Sequence, residues 1–175
     1  MFYKESKNFL SKENIIFIEN IILGNNFPFY LSQKSTATDN YKKMFHELLL
    51  RPEGCLLENR INSTYYNDVF NLVNSFLKKF KIKQKEILRM CINFTYNNGV
   101  EKCPVHKDHD FPHKQLIIYL NEADINSKTV ILNEKNKIIK EIAPEKYKGV
   151  CFDNVLHYHY YPKKGERIIL ITTFR

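Results

Sequence analysis

Apolar residues recur at helical spacing in two places along this chain. Val69, Val73, Phe76, Leu77 and Phe80 predict an amphipathic helix over residues 65–80. Ile15, Ile18 and Ile22 form a shorter stripe, which Ser11 can cap and Gly24 can stop. Beyond Lys85 the texture changes. Short runs rich in β-branched and aromatic residues occupy 87–96, 115–121, 129–133, 137–142, 149–152, 157–161 and 167–174, with polar turns between them. This spacing predicts helices first and then a double-sheet jelly roll. The expected fold is α+β but mainly β, with the N-terminal helices packed on one sheet. A mostly helical part over 1–86 would precede a jelly-roll core over 87–175. With no internal repeat, low-complexity segment or linker composition, residues 1–175 read as one domain.

Composition supports a folded globule: 43% of residues are hydrophobic and 14% aromatic. Cys55, Cys91, Cys103 and Cys151 are scattered, with no C-x-x-C pair. The N-terminal residues lack the apolar core of a signal peptide, and no apolar run reaches membrane-spanning length. The expectation is reduced thiols, a cytoplasmic location and no membrane partner. The sequons at Asn62 and Asn93 then read as coincidence. A net charge of +8 makes attraction to nucleic acid a legitimate expectation. The densest cluster, Lys78, Lys79, Lys81, Lys83 and Lys85, is more simply a solvated helix end and loop, and no nucleic-acid motif accompanies it.

The candidate chemistry lies in the β-rich part. In an extended strand, residues two apart face the same way, so His106-Lys107-Asp108 aims an imidazole and a carboxylate at one point. His157 adds a second neutral nitrogen. Two histidines and one carboxylate are the facial triad of non-haem Fe(II) oxygenases, which leaves coordination positions open. Ten residues past His157, after the Pro162 to Gly165 turn, stands Arg167, a fixed cation suited to a bidentate carboxylate. Buried in a barrel, that guanidinium needs an anionic partner, and a dicarboxylic cosubstrate supplies one. His159 shares a strand face with His157 and competes for the third position, although the spacing from Arg167 favours His157. His109 and His113 read as loop histidines near the mouth of the site. Cys103 lacks a nearby second thiol to close a zinc tetrahedron with His106.

Residues 87–175 resemble the Fe(II)/2-oxoglutarate dioxygenases of the prolyl 4-hydroxylase-like group. The N-terminal part, including Phe27, Pro28, Phe29 and Tyr30, is similar to small phage-type members. The resemblance implies a double-stranded β-helix, or cupin-like jelly roll, with Fe(II) on His106, Asp108 and His157. It also implies 2-oxoglutarate as cosubstrate and O2 as oxidant. Tyr96 matches a family tyrosine ten residues before the H-x-D histidine, and by resemblance lies near the metal end of 2-oxoglutarate. Tyr119, in Tyr119-Leu120-Asn121, would hold the far carboxylate with Arg167. The family's Gly-Gly-x-Thr step is replaced by Asn126-Ser127-Lys128-Thr129, with only Thr129 retained. Arg175 ends the chain in a Thr-Phe-Arg similar to the base-repair dioxygenases, but its spacing from Arg167 is longer.

The expected activity is hydroxylation of a C–H bond in a protein side chain, with proline one candidate, or in a small amino-acid-like molecule, releasing succinate and CO2. Three alternatives stand beside it: oxidation of a nucleic-acid base, a non-enzymatic cupin-like binding module, and a zinc hydrolase. The last lacks a general-base glutamate beside the motif. The role of Phe27 to Tyr30, substrate wall or core packing, stays open.

Overall fold

The computed structural model describes residues 2–34, 41–53, 55–57 and 59–175. Ten strands and two helices follow in the order β1 (Tyr3–Ser6), α1 (Lys12–Phe17), β2 (Tyr30–Ser32), β3 (Lys43–Leu49), α2 (Tyr66–Lys79), β4 (Ile87–Tyr96), β5 (Lys114–Tyr119), β6 (Thr129–Leu132), β7 (Ile138–Ile142), β8 (Gly149–Asp153), β9 (His157–His159) and β10 (Glu166–Phe174). They form two sheets. The large one runs β1-β8-β5-β10-β4-β3-β2 and the small one β7-β6-β9. Among the described residues every strand pair is antiparallel.

The period of two divides the large sheet into faces of opposite character. On β10, Ile168, Leu170 and Phe174 join Met90 and Ile92 of β4 and Leu116 and Ile118 of β5 in the main apolar cluster. Val69, Leu72, Val73, Phe76 and Leu77 of α2 belong to that same cluster. Each such side chain, once fully buried, contributes about 2 kcal/mol. Phe76 lies so close to β8 that a Cβ on Gly149 would sit 2.6 Å from its ring, so this strand position has room for hydrogen only. The other face looks toward the small sheet. Ile117, Tyr119, Val150, Phe152 and Ile169 meet Ile131 and Ile142 there in a second, smaller cluster.

The first helix forms where Ser11 caps it, its hydroxyl accepting from the Asn14 amide while Asn14 returns the favour to Ser11. It then widens into a π turn over Ile18–Ile22, which leaves Ile18 and Ile22 buried. The expectation of a mostly helical part over 1–86 needs correction, because β1, β2 and β3 all come from it and extend both edges of the large sheet. Their sequences hide this. β1 and β2 are short edge strands with exposed positions, and β3 carries Lys43 and Glu47 where a core-facing strand would carry apolar residues. Phe27 is buried in the main cluster and Phe29 packs against it, while the Pro28 carbonyl accepts from His46 Nδ1. Phe27 and Phe29 therefore serve packing. The lysines from 78 to 85 sit at the exposed end of α2 and the loop beyond it. Among the described residues no helix is long and apolar enough to cross a membrane.

Candidate functional site

Beside its small apolar cluster, the inner face of the large sheet carries more polar residues than a core would. Arg89, Asn93 and Thr95 of β4, Gln115 of β5 and Arg167 of β10 all project from it into a cavity of about 650 Å³. The small sheet closes the opposite side with Thr129, His157, Tyr158 and His159.

His106 and His157 are brought together by backbone. Each donates its amide hydrogen to the other's carbonyl at 3.0 Å, an isolated antiparallel bridge that sets the two imidazoles 4.5 Å apart. His106 thus sits at a single bridge and Asp108 in a bend, where a regular strand was expected. The very polar run from His106 to Asp110 cannot sustain a ladder, yet the bridge suffices to aim the first imidazole. Both rings are held through the same nitrogen. Nδ1 of His106 donates to the Pro104 carbonyl at 2.8 Å, and Nδ1 of His157 to the Val155 carbonyl at 3.0 Å. Since a carbonyl only accepts, each Nε2 is left with its lone pair.

Asp108 is buried and divided in its duties. Its Oδ1 accepts from Arg51 at 3.2 Å and from Arg89 at 3.4 Å, and Arg51 also donates to its carbonyl. Its Oδ2 has no hydrogen-bond partner and lies 3.5 Å from His157 Nε2. Burial by itself raises this carboxyl's pKa. The fields of His157, Arg89, His106 and Arg51 outweigh that and hold it below the usual carboxylate range. Burial, reinforced by His106, pushes His157 down to about 4, so both groups are in their ligating forms at neutral pH. Among the described residues, no group of three His, Cys, Asp or Glu side chains is closed around one point as a finished metal site. Asp108 is drawn toward its two arginines instead.

At the other end lies Arg167, 1% exposed. Its Nη2 donates to Thr129 Oγ1 at 2.8 Å, which in turn pairs with Tyr119 Oη at 2.9 Å. The guanidinium stands 5.4 Å from the centre of the Tyr119 ring. Nε and Nη1 are buried without a partner, and no carboxylate among the described residues pairs with this cation. Leaving such a group unpaired costs several kcal/mol.

The structure therefore gathers His106, Asp108, His157, Thr129 and Arg167 at one cavity, with Tyr119 one layer behind Thr129. It does not bring Tyr96 there. Tyr96 shares its strand parity with Met90 and Ile92, on the helix-covered face, and pairs in register with Glu166. Its assignment to the metal end is corrected on that ground. His159 does face the cavity, half-buried, with Nδ1 3.2 Å from Cys103 Sγ and Nε2 unpartnered. His109 is held between Glu53 and Thr173, and His113 lines a separate groove with Lys83 and Arg175. Arg175 itself pairs with Glu86, away from the site. Lys43, Arg51, Arg89 and Gln115 line the cavity without having been singled out from the sequence.

No family model matches the chain, and no curated protein matches it significantly. Solved structures do. A 2OG-Fe(II) oxygenase family oxidoreductase from Burkholderia pseudomallei superposes with a TM-score of 0.74 at 15% identity, covering 98% of this chain and 84% of that one. A prolyl hydroxylase from Trichoplax adhaerens, solved with a hypoxia inducible factor peptide fragment, gives 0.68 at 12% identity, covering 98% and 82%. The viral collagen prolyl hydroxylase of Paramecium Bursaria Chlorella virus-1, in its 2OG complex, gives 0.58 at 15% identity, covering 100% and 96%. The chain has the jelly-roll fold of the 2OG-Fe(II) oxygenases.

Proposed function

We propose that this protein is an Fe(II)- and 2-oxoglutarate-dependent oxygenase, a small phage-type member of the prolyl 4-hydroxylase-like group that hydroxylates a protein side chain or a small amino-acid-like molecule. One observation carries the reading. Arg167 is a buried cation with two unpartnered donors, and it lines the same cavity as an orphaned carboxylate oxygen and two histidines whose Nδ1 hydrogens are committed to backbone carbonyls, with the Gln115 amide 3.5 Å from His157 Nε2. A divalent cation would answer the histidine–aspartate end and a carboxylate the Arg167 end, and a dicarboxylic acid chelating that cation would supply both.

The donor set fits a divalent first-row metal. His106 Nε2, His157 Nε2 and Asp108 Oδ2 would hold it, two neutral nitrogens and one anionic oxygen. Bound there with 2-oxoglutarate, iron supplies the oxidation of a substrate C–H bond by O2, with succinate and CO2 as coproducts. The chain's own residues do the rest. The Pro104 and Val155 carbonyls fix the tautomers and aim of the two histidines, as outer partners of metal ligands do elsewhere. Arg51 and Arg89 occupy Asp108 Oδ1 and leave Oδ2 as the ligating atom. Arg167, steadied by Thr129 with Tyr119 behind, grips the far carboxylate. The apolar wall of Ile117, Ile169 and Phe152 limits water around the site.

Anaerobic protein titrated with Fe(II) and 2-oxoglutarate should develop the weak visible charge-transfer band of the chelate, and His157→Ala should not. Folded, metal-loaded protein that shows no band would remove the assignment.

A further inference from the structure

The charge lining the cavity is unbalanced. Among the described residues six cations border it, Lys34, Lys43, Arg51, Arg89, Lys107 and Arg167, against the carboxylates Glu47 and Asp108. A divalent metal and a doubly ionised cosubstrate cancel each other and leave that surplus untouched. Three of the cations are already accounted for. Arg51 pairs with Asp108, Arg89 with Asp108 and Glu47, and Arg167 faces the cosubstrate on the reading above.

Lys43 is different. It stands on β3, opposite Ser32 of β2 and one step beyond the Met44–Phe94 pair, in the row that contains Thr95 and Arg167. Two strand spacings put its backbone roughly 10 Å from that of Arg167. The two cations therefore reach into one cavity from separate positions. No carboxylate among the described residues pairs with Lys43. The ring centre of the neighbouring Phe45 lies 6.0 Å from its Nζ. Burial, followed by the positive fields of Arg89 and Arg51, pushes its pKa down, so the protein bears a cost for keeping an amine there. A neutral substrate would leave that cost in place. An oxyanion would remove it.

We propose that the part of the cavity walled by β3 takes a small primary substrate bearing an oxyanion, a carboxylate or a phosphate, and that Lys43 selects for that charge. The inference builds on the oxygenase reading, because it takes the Arg167 end to be filled by cosubstrate. The positive surplus lies inside a concavity sized for small ligands, while the lysines between 78 and 85 lie elsewhere on the surface, which favours a small molecule over a polymer.

The test is calorimetric titration of 2-oxoglutarate-saturated protein with acetate and, separately, with inorganic phosphate. Wild type should bind one further anion, and the tighter of the two names the oxyanion class. Lys43→Met should weaken that binding at least tenfold while leaving 2-oxoglutarate affinity unchanged and the melting temperature unchanged or raised, and Lys43→Arg should restore the binding. No saturable binding, or equal binding by Lys43→Met, overturns the inference. So does Lys43-independent binding of a short oligonucleotide in place of the small anions. The charge-transfer band is read on the same proteins. A band without Lys43-dependent anion binding sinks this inference alone, and Lys43-dependent binding without a band sinks only the oxygenase reading.

Discussion

The large sheet has two faces built from alternating residues of the same strands, and they obey different rules. Facing α2, the side chains of β4, β5 and β10 are apolar, as a core demands: Met90, Ile92, Leu116, Ile118 and Leu170. One residue along each strand, the opposite face presents Arg89, Asn93, Thr95, Gln115 and Arg167. Nothing about strand formation requires that second set, and burying it costs free energy. The contrast separates residues that hold the fold from buried polar residues that the fold does not need, and it can be tested one side chain at a time.

The largest effect should come from Arg167. Arg167→Leu removes a buried cation whose Nε and Nη1 are unpartnered, so 2-oxoglutarate affinity should fall at least a hundredfold, about 3 kcal/mol, while unfolding in urea shows stability unchanged or raised. A clear loss of stability would mean that Arg167 belongs to the core. Leu170→Ala, its neighbour on the apolar face, should do the reverse and cost roughly 3–4 kcal/mol with ligand affinity intact in the folded fraction.

Acidity should act most strongly through the polar face. His157 is held neutral down to about pH 4, whereas in the unfolded chain it protonates near 6.5. Between those values the unfolded state binds more protons, so stability of the metal-free protein falls as pH drops from about 6.5 to 4, by on the order of 3 kcal/mol. His157→Gln should flatten that slope in denaturant titrations across the window. A slope that survives the change would assign the effect to other groups, His159 foremost, which burial and Arg167 also depress. The smallest effect belongs to Thr172, on the apolar face with its hydroxyl buried and unpartnered. Thr172→Val should raise stability by about 1 kcal/mol, measured as a shift in the denaturation midpoint.

Much of this contrast could be read from the chain itself, but unevenly. β4 spans Ile87–Tyr96 in the sequence reading and in the structure alike, because a long run between polar turns marks its own ends. β3 escaped notice because it borders the cavity. Lys43 and Glu47 interrupt its apolar pattern, and that interruption is the site itself. The motif residues His106, Asp108, His157 and Arg167 signalled themselves by spacing, and they do share one cavity. Arg51 and Arg89 gave no comparable signal. They reach Asp108 from other segments of the chain, and only Arg89, a lone charge within Ile87-Leu88-Arg89-Met90, hinted at an unusual environment. Tyr96 was misplaced by counting along the chain without counting strand parity from Arg89, which puts it on the wrong face.

The reciprocal backbone bridge between His106 and His157 has a thermodynamic consequence. Drawing together two ligands so far apart in sequence normally charges loop-closure entropy to the binding ion. Here two peptide hydrogen bonds have already closed that loop during folding. An arriving ion would therefore need only to draw in the unpartnered Oδ2 of one carboxylate whose Oδ1 stays on its arginines. Its effect on the melting temperature should follow simple mass action, rising with the logarithm of free metal, with no change in the cooperativity of unfolding.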